Sequence, residues 1–138
     1  MRLPDLWRRE SNPALVMIGH SDCGTTRLLL PYLDRIHRTR DPRHHVLAVL
    51  QDDPQAAQAL REELALGLPI VLEADPYPLA QALDLTTVPT LLAVDSDGLI
   101  TRVSEGFRRD DVEALAIAAG HPSPFFAPGD NAPALRPG

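Results

Sequence analysis

A mixed-sheet α/β domain is the fold class this sequence predicts, on three observations. Short apolar runs alternate with helix-period segments through the first part of the chain, which argues for parallel strands joined by crossover helices. Two later strand-like runs flank Ser96-Asp97-Gly98, which reads as a hairpin and therefore as an antiparallel pair. The chain has 138 residues, 44% hydrophobic and 23% charged, enough for one domain to bury a core without metals or disulfides.

The elements follow in order. Residues 14–19 (ALVMIG) are continuously apolar, as a strand covered on both faces should be. From Gly24 the pattern becomes helical, with Leu29, Tyr32, Leu33 and Ile36 on one face and Arg35, Arg38 and Arg40 toward the end, where they suit the helix dipole. Pro31 lies inside this helix, where proline costs about 3 kcal/mol or more. His45–Gln51 reads as a second buried strand. Asp53 caps the next helix, with Pro54 at its first position, Ala57, Leu60 and Leu64 on one face and Gly67 as its stop. Residues 69–73 (PIVLE) form a third strand, and Asp75-Pro76 opens a short helix ending near Leu85. Strands over 90–95 and 99–104 flank the hairpin turn, and the last helix spans about Arg109–Ala119 with Val112, Leu115, Ala116 and Ala119 inward. No internal repeat is visible. The expected division is an N-terminal extension over 1–12, a domain over 13–120 and a Pro/Gly-rich tail over 121–138, whose Phe125-Phe126 pair offers an anchor onto the domain.

Charge and composition narrow the function. A net charge of −6 argues against a phosphate-backbone binder, so no nucleic-acid partner is expected. All 13 basic residues are arginine, which removes lysine chemistry such as a Schiff base. No run approaches the roughly 18 apolar residues of a membrane span, and residues 1–13 lack the apolar core of a signal peptide, so the expectation is a cytoplasmic protein without a membrane partner. The only cysteine, Cys23, cannot form an internal disulfide and implies no oxidising compartment. His37, His44 and His45 with nearby arginines could suggest an anion or metal patch. Cys/His metal spacing is absent, however, and a solvated helix end is the preferred reading, so no metal and no cofactor are expected.

Cys23 stands between a buried strand and a helix start. The amides of Gly24, Thr25 and Thr26 should point toward its sulfur, and unpaired N–H groups with the positive dipole end favour a thiolate. Gly24 leaves the sulfur open to a partner. A free cysteine can equally be a small hydrophobe filling a loop, and position alone leaves both readings open. His20 could act as a base or stabilise the thiolate when protonated, or be an ordinary strand-end surface residue. Val88-Pro89-Thr90, just before a strand, is a place where a cis proline could sit.

The strand–Cys-Gly-x-x–helix with its internal proline, followed by Val-Pro-Thr, a strand, an Asp-x-Asp-Gly turn, a strand and a helix, resembles the thioredoxin-like superfamily over about residues 13–119. The segment PIVLEADPYPLAQALDL resembles the insert of its TlpA/ResA and AhpC/TSA branch. The resemblance implies a thioredoxin-like fold, with a mixed central sheet of about five strands flanked by helices and the insert before the cis-proline strand. It implies that Cys23 matches the nucleophilic first cysteine and Pro31 the proline of the active-site helix. Val88–Pro89 matches a cis pair lying beside the nucleophile, with the Val88 main chain free to meet an extended peptide. Three departures stand out. Thr26 replaces the resolving cysteine, Asp22 replaces a common tryptophan, and Met17 occupies a site that is often acidic or polar. Thr26 could donate a hydrogen bond that lowers the Cys23 pKa, while Asp22 opposes it by like-charge repulsion.

The leading functional expectation is monothiol thiol–disulfide exchange in cell redox homeostasis, with a protein or low-molecular-weight thiol or disulfide as partner. Cys23 and Thr26 would be catalytic, Val88, Pro89, Gly24 and Thr25 would contact the partner, and His20 and Asp22 would modulate. The alternatives are a redox-inactive peptide-binding module and a one-cysteine peroxidase. The last departs from its model at His20, where a peroxiredoxin site carries threonine.

Overall fold

A computed structural model describes residues 12–138; of the expected N-terminal extension, residues 1–11 lie outside the described residues. The central strand β1 (Ala14–Gly19) is buried along its whole length. It pairs in parallel with β2 (His45–Leu50), which pairs in parallel with β3 (Ile70–Leu72). On its other side β1 pairs antiparallel with β4 (Thr90–Val94), which pairs antiparallel with β5 (Ile100–Glu105). The result is a mixed five-stranded sheet in the order β3-β2-β1-β4-β5, as the alternation and the hairpin predict. The β4–β5 turn is built as expected: the Asp95 carboxylate accepts from the amides of Asp97 and Leu99, and Gly98 takes φ 82°.

Alternate residues of the central strands feed two apolar clusters. Leu15 and Met17 of β1 join Val46, Ala48 and Leu50 of β2 on one face. Helix α1 (Gly24–Thr39) adds Leu29, Leu33 and Ile36 to that cluster, α2 (Pro54–Glu63) adds Ala57 and Leu60, and the last helix over Arg109–Ala118 adds Val112, Leu115 and Ala116. Ala14, Val16 and Ile18 face the other cluster, where Leu79 and Leu83 of the insert close the sheet. Both faces of β1 are therefore covered, which is why its sequence shows no polar alternation.

Helix α1 continues through Pro31 for 16 residues, although the proline supplies no N–H to the preceding turn. Its Asp34 is buried, and the carboxylate accepts from the amides of Gly67 (2.8 Å) and Leu68 (2.9 Å), tying the helix to the loop before β3.

The insert helix starts later than the sequence suggests. It spans Pro78–Ala82 (α3) and does not begin at Asp75-Pro76. A residue followed by proline is disfavoured in the α region, and both Asp75 and Tyr77 are followed by one. Tyr77 instead adopts a left-handed conformation (φ 58°), and the cap comes from upstream: the buried Glu73 carboxylate accepts from the amides of Leu79 and Ala80.

Residues 121–138 pack on the domain. Phe125 and Phe126 are buried against Tyr32, with Phe126 at 5.1 Å between ring centroids. The Glu113 carboxylate accepts from both of their amides. Asp130 forms a two-pronged ion pair with Arg35 (2.8 and 2.9 Å), which holds its carboxyl down to about 2. The chain then forms a strand unforeseen in the sequence: β7 (Leu135–Arg136) pairs antiparallel with β6 (Phe107–Arg108), just ahead of the last helix, α4.

Candidate active site

The site lies where β1 ends, α1 begins and β4 approaches. Cys23 is the residue immediately before the first helical turn, with extended backbone (φ −89°, ψ 117°). Its amide donates to the His20 carbonyl at 3.0 Å, closing a tight turn over residues 20–23. The thiol is partly exposed. Its S–H donates to the Val88 carbonyl at 3.5 Å, so residues 65 positions apart meet at the sulfur. The Val88–Pro89 peptide is cis.

Opposing effects act on the Cys23 pKa. Burial pushes the thiol up, but the amide and hydroxyl of Thr26, followed by those of Thr25, favour the thiolate and outweigh it. The net result is a pKa below the ordinary thiol value. Thr26 is fully buried, and its Oγ1 accepts from the His20 amide at 3.4 Å. Gly19 makes room for it: a Cβ there would lie 2.7 Å from Thr26 Cγ2 and 3.3 Å from Met17 Cε. The floor beneath the first helical turn is thus a buried thioether rather than a group that could carry a proton.

A Thr26→Ala change removes one of these donors while leaving the amide. The expected outcome is a Cys23 alkylation midpoint moved to higher pH, so that less thiolate is present at neutral pH, with Thr26→Ser restoring it. An unmoved midpoint in Thr26→Ala would show that the hydroxyl plays no part.

The His20 ring is engaged with Asp22 and Asp52. Its Nδ1 accepts from the Asp22 amide at 3.1 Å, which leaves the proton on Nε2, facing Asp52 Oδ1 at 3.8 Å. Its contact to Cys23 is through its carbonyl. The Asp22 side chain is 92% exposed, so its repulsion on the thiolate is weakened by solvent.

Residues that sequence reasoning missed hold this loop. The buried Asp52 carboxylate accepts from both the amide and the hydroxyl of Ser21. Arg27 donates Nε–H to the Ser21 carbonyl at 2.7 Å and pairs with Glu63. The available signal was the Asp52-Asp53 doublet: Asp53 caps α2 through the Ala56 amide, which leaves Asp52 for another task. Beside Val88, a cavity of about 600 Å³ opens between Gln51, Tyr77, Gln81 and Thr87. The segment 135–138 also reaches the site: Thr25 donates its hydroxyl to the Pro137 carbonyl at 2.6 Å, and Arg136 lies over Gly24.

His37, His44 and His45 are not part of this site. Burial lowers the pKa of His37 and of His44, and the buried His37 Nδ1, Arg40 Nε and His45 Nε2 have no hydrogen-bond partner. Among the described residues, no group of three or more His, Cys, Asp or Glu is placed to hold a metal ion.

No family model and no curated protein matches the chain. Solved structures do. The thioredoxin domain of a thiol-disulfide oxidoreductase from Bacteroides vulgatus superposes with a TM-score of 0.70 at 20% identity, covering 79% of each chain. StoA from Bacillus subtilis gives 0.69 at 18% identity over 79% of this chain and 83% of its own. A thiol-disulfide isomerase from Corynebacterium glutamicum gives 0.67 at 17% identity over 80% and 81%. The chain has the thioredoxin-like fold. In this thioredoxin-like domain a single thiol stands at the start of α1, with a buried threonine three positions later. Among the described residues, no helix is long and apolar enough to cross a membrane.

Proposed function

We propose that this thioredoxin-like domain carries out thiol–disulfide exchange through Cys23 alone. The observation that carries the reading is a partly exposed cysteine whose thiolate is favoured by Thr26 and Thr25 at the start of a helix. The thiolate attacks one sulfur of a partner disulfide, forming a Cys23–partner disulfide and releasing the other sulfur as a thiolate, which takes a proton from water. With Thr26 in place of a second cysteine, an external thiol must attack the adduct. It displaces Cys23 as thiolate and leaves with the partner as a new disulfide. A reducing cytoplasmic pool supplies such thiols and is the setting this reading favours. The partners are disulfide-bearing proteins or small disulfides that meet the sulfur beside Val88 and Pro89.

Incubation with an aromatic disulfide tests the reading. The expected result is stoichiometric release of the coloured thiol and a mixed disulfide at Cys23 by mass spectrometry, with a rate that rises through a midpoint below the reference of about 8.5. No adduct, or a midpoint at or above that reference, would favour the second reading: a redox-silent peptide-binding module. The contacts of residues 136–137 with Gly24 and Thr25 support that alternative.

Thr26→Cys provides a further prediction. A cysteine there would sit one helical turn from Cys23 and should close an intramolecular disulfide on oxidation. Mass spectrometry should show the loss of two hydrogens without dimers; intermolecular dimers alone would show that position 26 does not face the thiol.

A further inference from the structure

The segment following the second apolar anchor lies on the site itself. Arg109 donates its amide to the Ala134 carbonyl at 3.0 Å, and β7 pairs with β6, so the chain arrives as an extended strand. Arg136 crosses the start of α1 so closely that a Cβ on Gly24 would lie 2.6 Å from its Nη2. The Pro137 carbonyl takes the Thr25 hydroxyl proton at 2.6 Å. Gly138 lies against residues 87 and 88: a Cβ on it would be 2.6 Å from Thr87 Cγ2 and would collide with the Val88 carbonyl. That carbonyl is also the acceptor of the Cys23 S–H. Gly106 completes the fit, with φ 70° and a Cβ position only 2.7 Å from the Arg136 carbonyl. Residues 136–138 therefore meet Gly24, Thr25, Thr87 and Val88, from both walls of the space around the sulfur.

We propose that residues 134–138 are an internal occupant of the cleft beside Cys23, holding in cis the place of an extended peptide and regulating access to the thiol by leaving and returning. The inference rests on the reading of Cys23 as an exchange nucleophile for its consequence, though not for the occupancy itself. Two features suit a reversible clasp. Leu135 is 53% exposed, so release uncovers little apolar surface, while the upstream anchor at Phe125, Phe126 and Asp130 stays in place. Rebinding is intramolecular and therefore fast and independent of protein concentration. The Arg136 guanidinium fits against Gly24 because that residue has no side chain, and Gly138 fits where the approach to Val88 is closest because it has none itself. The peptide class favoured in trans is accordingly an extended segment with glycine or another small residue facing Val88.

The test compares the full chain with a deletion of 135–138 and with Arg136→Ala, which keeps the length. Cys23 is labelled with iodoacetamide and with a bulky fluorescein maleimide, and exchange is followed with a short unstructured peptide carrying a thionitrobenzoate mixed disulfide. Deletion should speed the bulky label and the peptide disulfide by about tenfold, the factor for a cleft open about a tenth of the time. It should change iodoacetamide labelling much less. Arg136→Ala should move in the same direction by a smaller factor. The peptide Ala-Leu-Arg-Pro-Gly added to the deleted chain should slow the bulky label again. Equal bulky-label rates in all three proteins, or a slower rate after deletion, overturn the occupancy. If deletion unmasks the thiol to the bulky label while no form exchanges with the peptide disulfide, the occupancy stands and the exchange reading fails.

Discussion

Replacing Cys23 with serine should reduce disulfide exchange by roughly a thousandfold or more, because no other sulfur nucleophile exists among its cysteines to take over. Serine keeps the shape and the local hydrogen bonding but has no thiolate at neutral pH. The fold should survive, since the side chain is only partly buried and supplies no helix cap. The decisive measurement is release of the coloured thiol by Cys23→Ser and wild type at equal concentration, with melting curves to show that both are folded. Retention of more than a small fraction of the rate would place the chemistry elsewhere. Because the threonine donors outweigh the upward push of burial on the sulfur, the wild-type rate should climb with pH to a plateau reached earlier than for a free thiol.

Phe107→Ala should produce the largest stability loss, about 3–5 kcal/mol. The ring is fully buried and touches Tyr32 (5.7 Å between centroids) and Phe126 (6.3 Å), so truncation leaves a cavity among rings fixed by different elements. Against a typical total of about 5–15 kcal/mol that is a large share. It corresponds to a drop in melting temperature of roughly 10 °C or more. Denaturant and thermal melts check it, and a loss under about 1 kcal/mol would mean that the site collapses to fill the gap. Phe107 also sits in β6, so the same change should loosen β7.

Much of the fold is legible in the sequence because its signals are local. The apolar run of β1, the i, i+3, i+4, i+7 pattern of α1 and the Asp95–Gly98 turn each declare themselves within a few residues. Thr25 and Thr26 are legible for the same reason, being within one helical turn of Cys23. The parts that were not legible depend on distant partners. Asp52 meets Ser21 across 31 positions, and although the Asp52-Asp53 doublet leaves Asp52 free for a second task, nothing near it names Ser21 as the partner. Val88 reaches the sulfur from 65 positions away, and only resemblance to a known fold placed it there beforehand. The start of α3 is not legible locally because its cap is Glu73, upstream of the segment and in a loop. Strand β7 has no local signature, because two exposed residues between prolines carry no periodicity and the partner that makes them a strand lies at Phe107–Arg108.

The seam between β1 and β4 has a consequence for how this protein assembles. Its partners, from Ala14 with Val94 to Ile18 with Thr90, are 72 to 80 residues apart along the chain, whereas β4 and β5 are joined by a short turn. Closing the longer loop costs about 2 kcal/mol more chain entropy than closing a hairpin of roughly ten residues. This difference in closure entropy favours formation of the local helices and the hairpin before the seam. Cys23 follows β1 and Val88 precedes β4, so the two sides of the site are brought together by that same closure. A partly folded chain can hold most of its helix and hairpin and still have no assembled thiol site. Under mild denaturant, the distance between positions 23 and 88 should therefore lengthen before the helical signal falls.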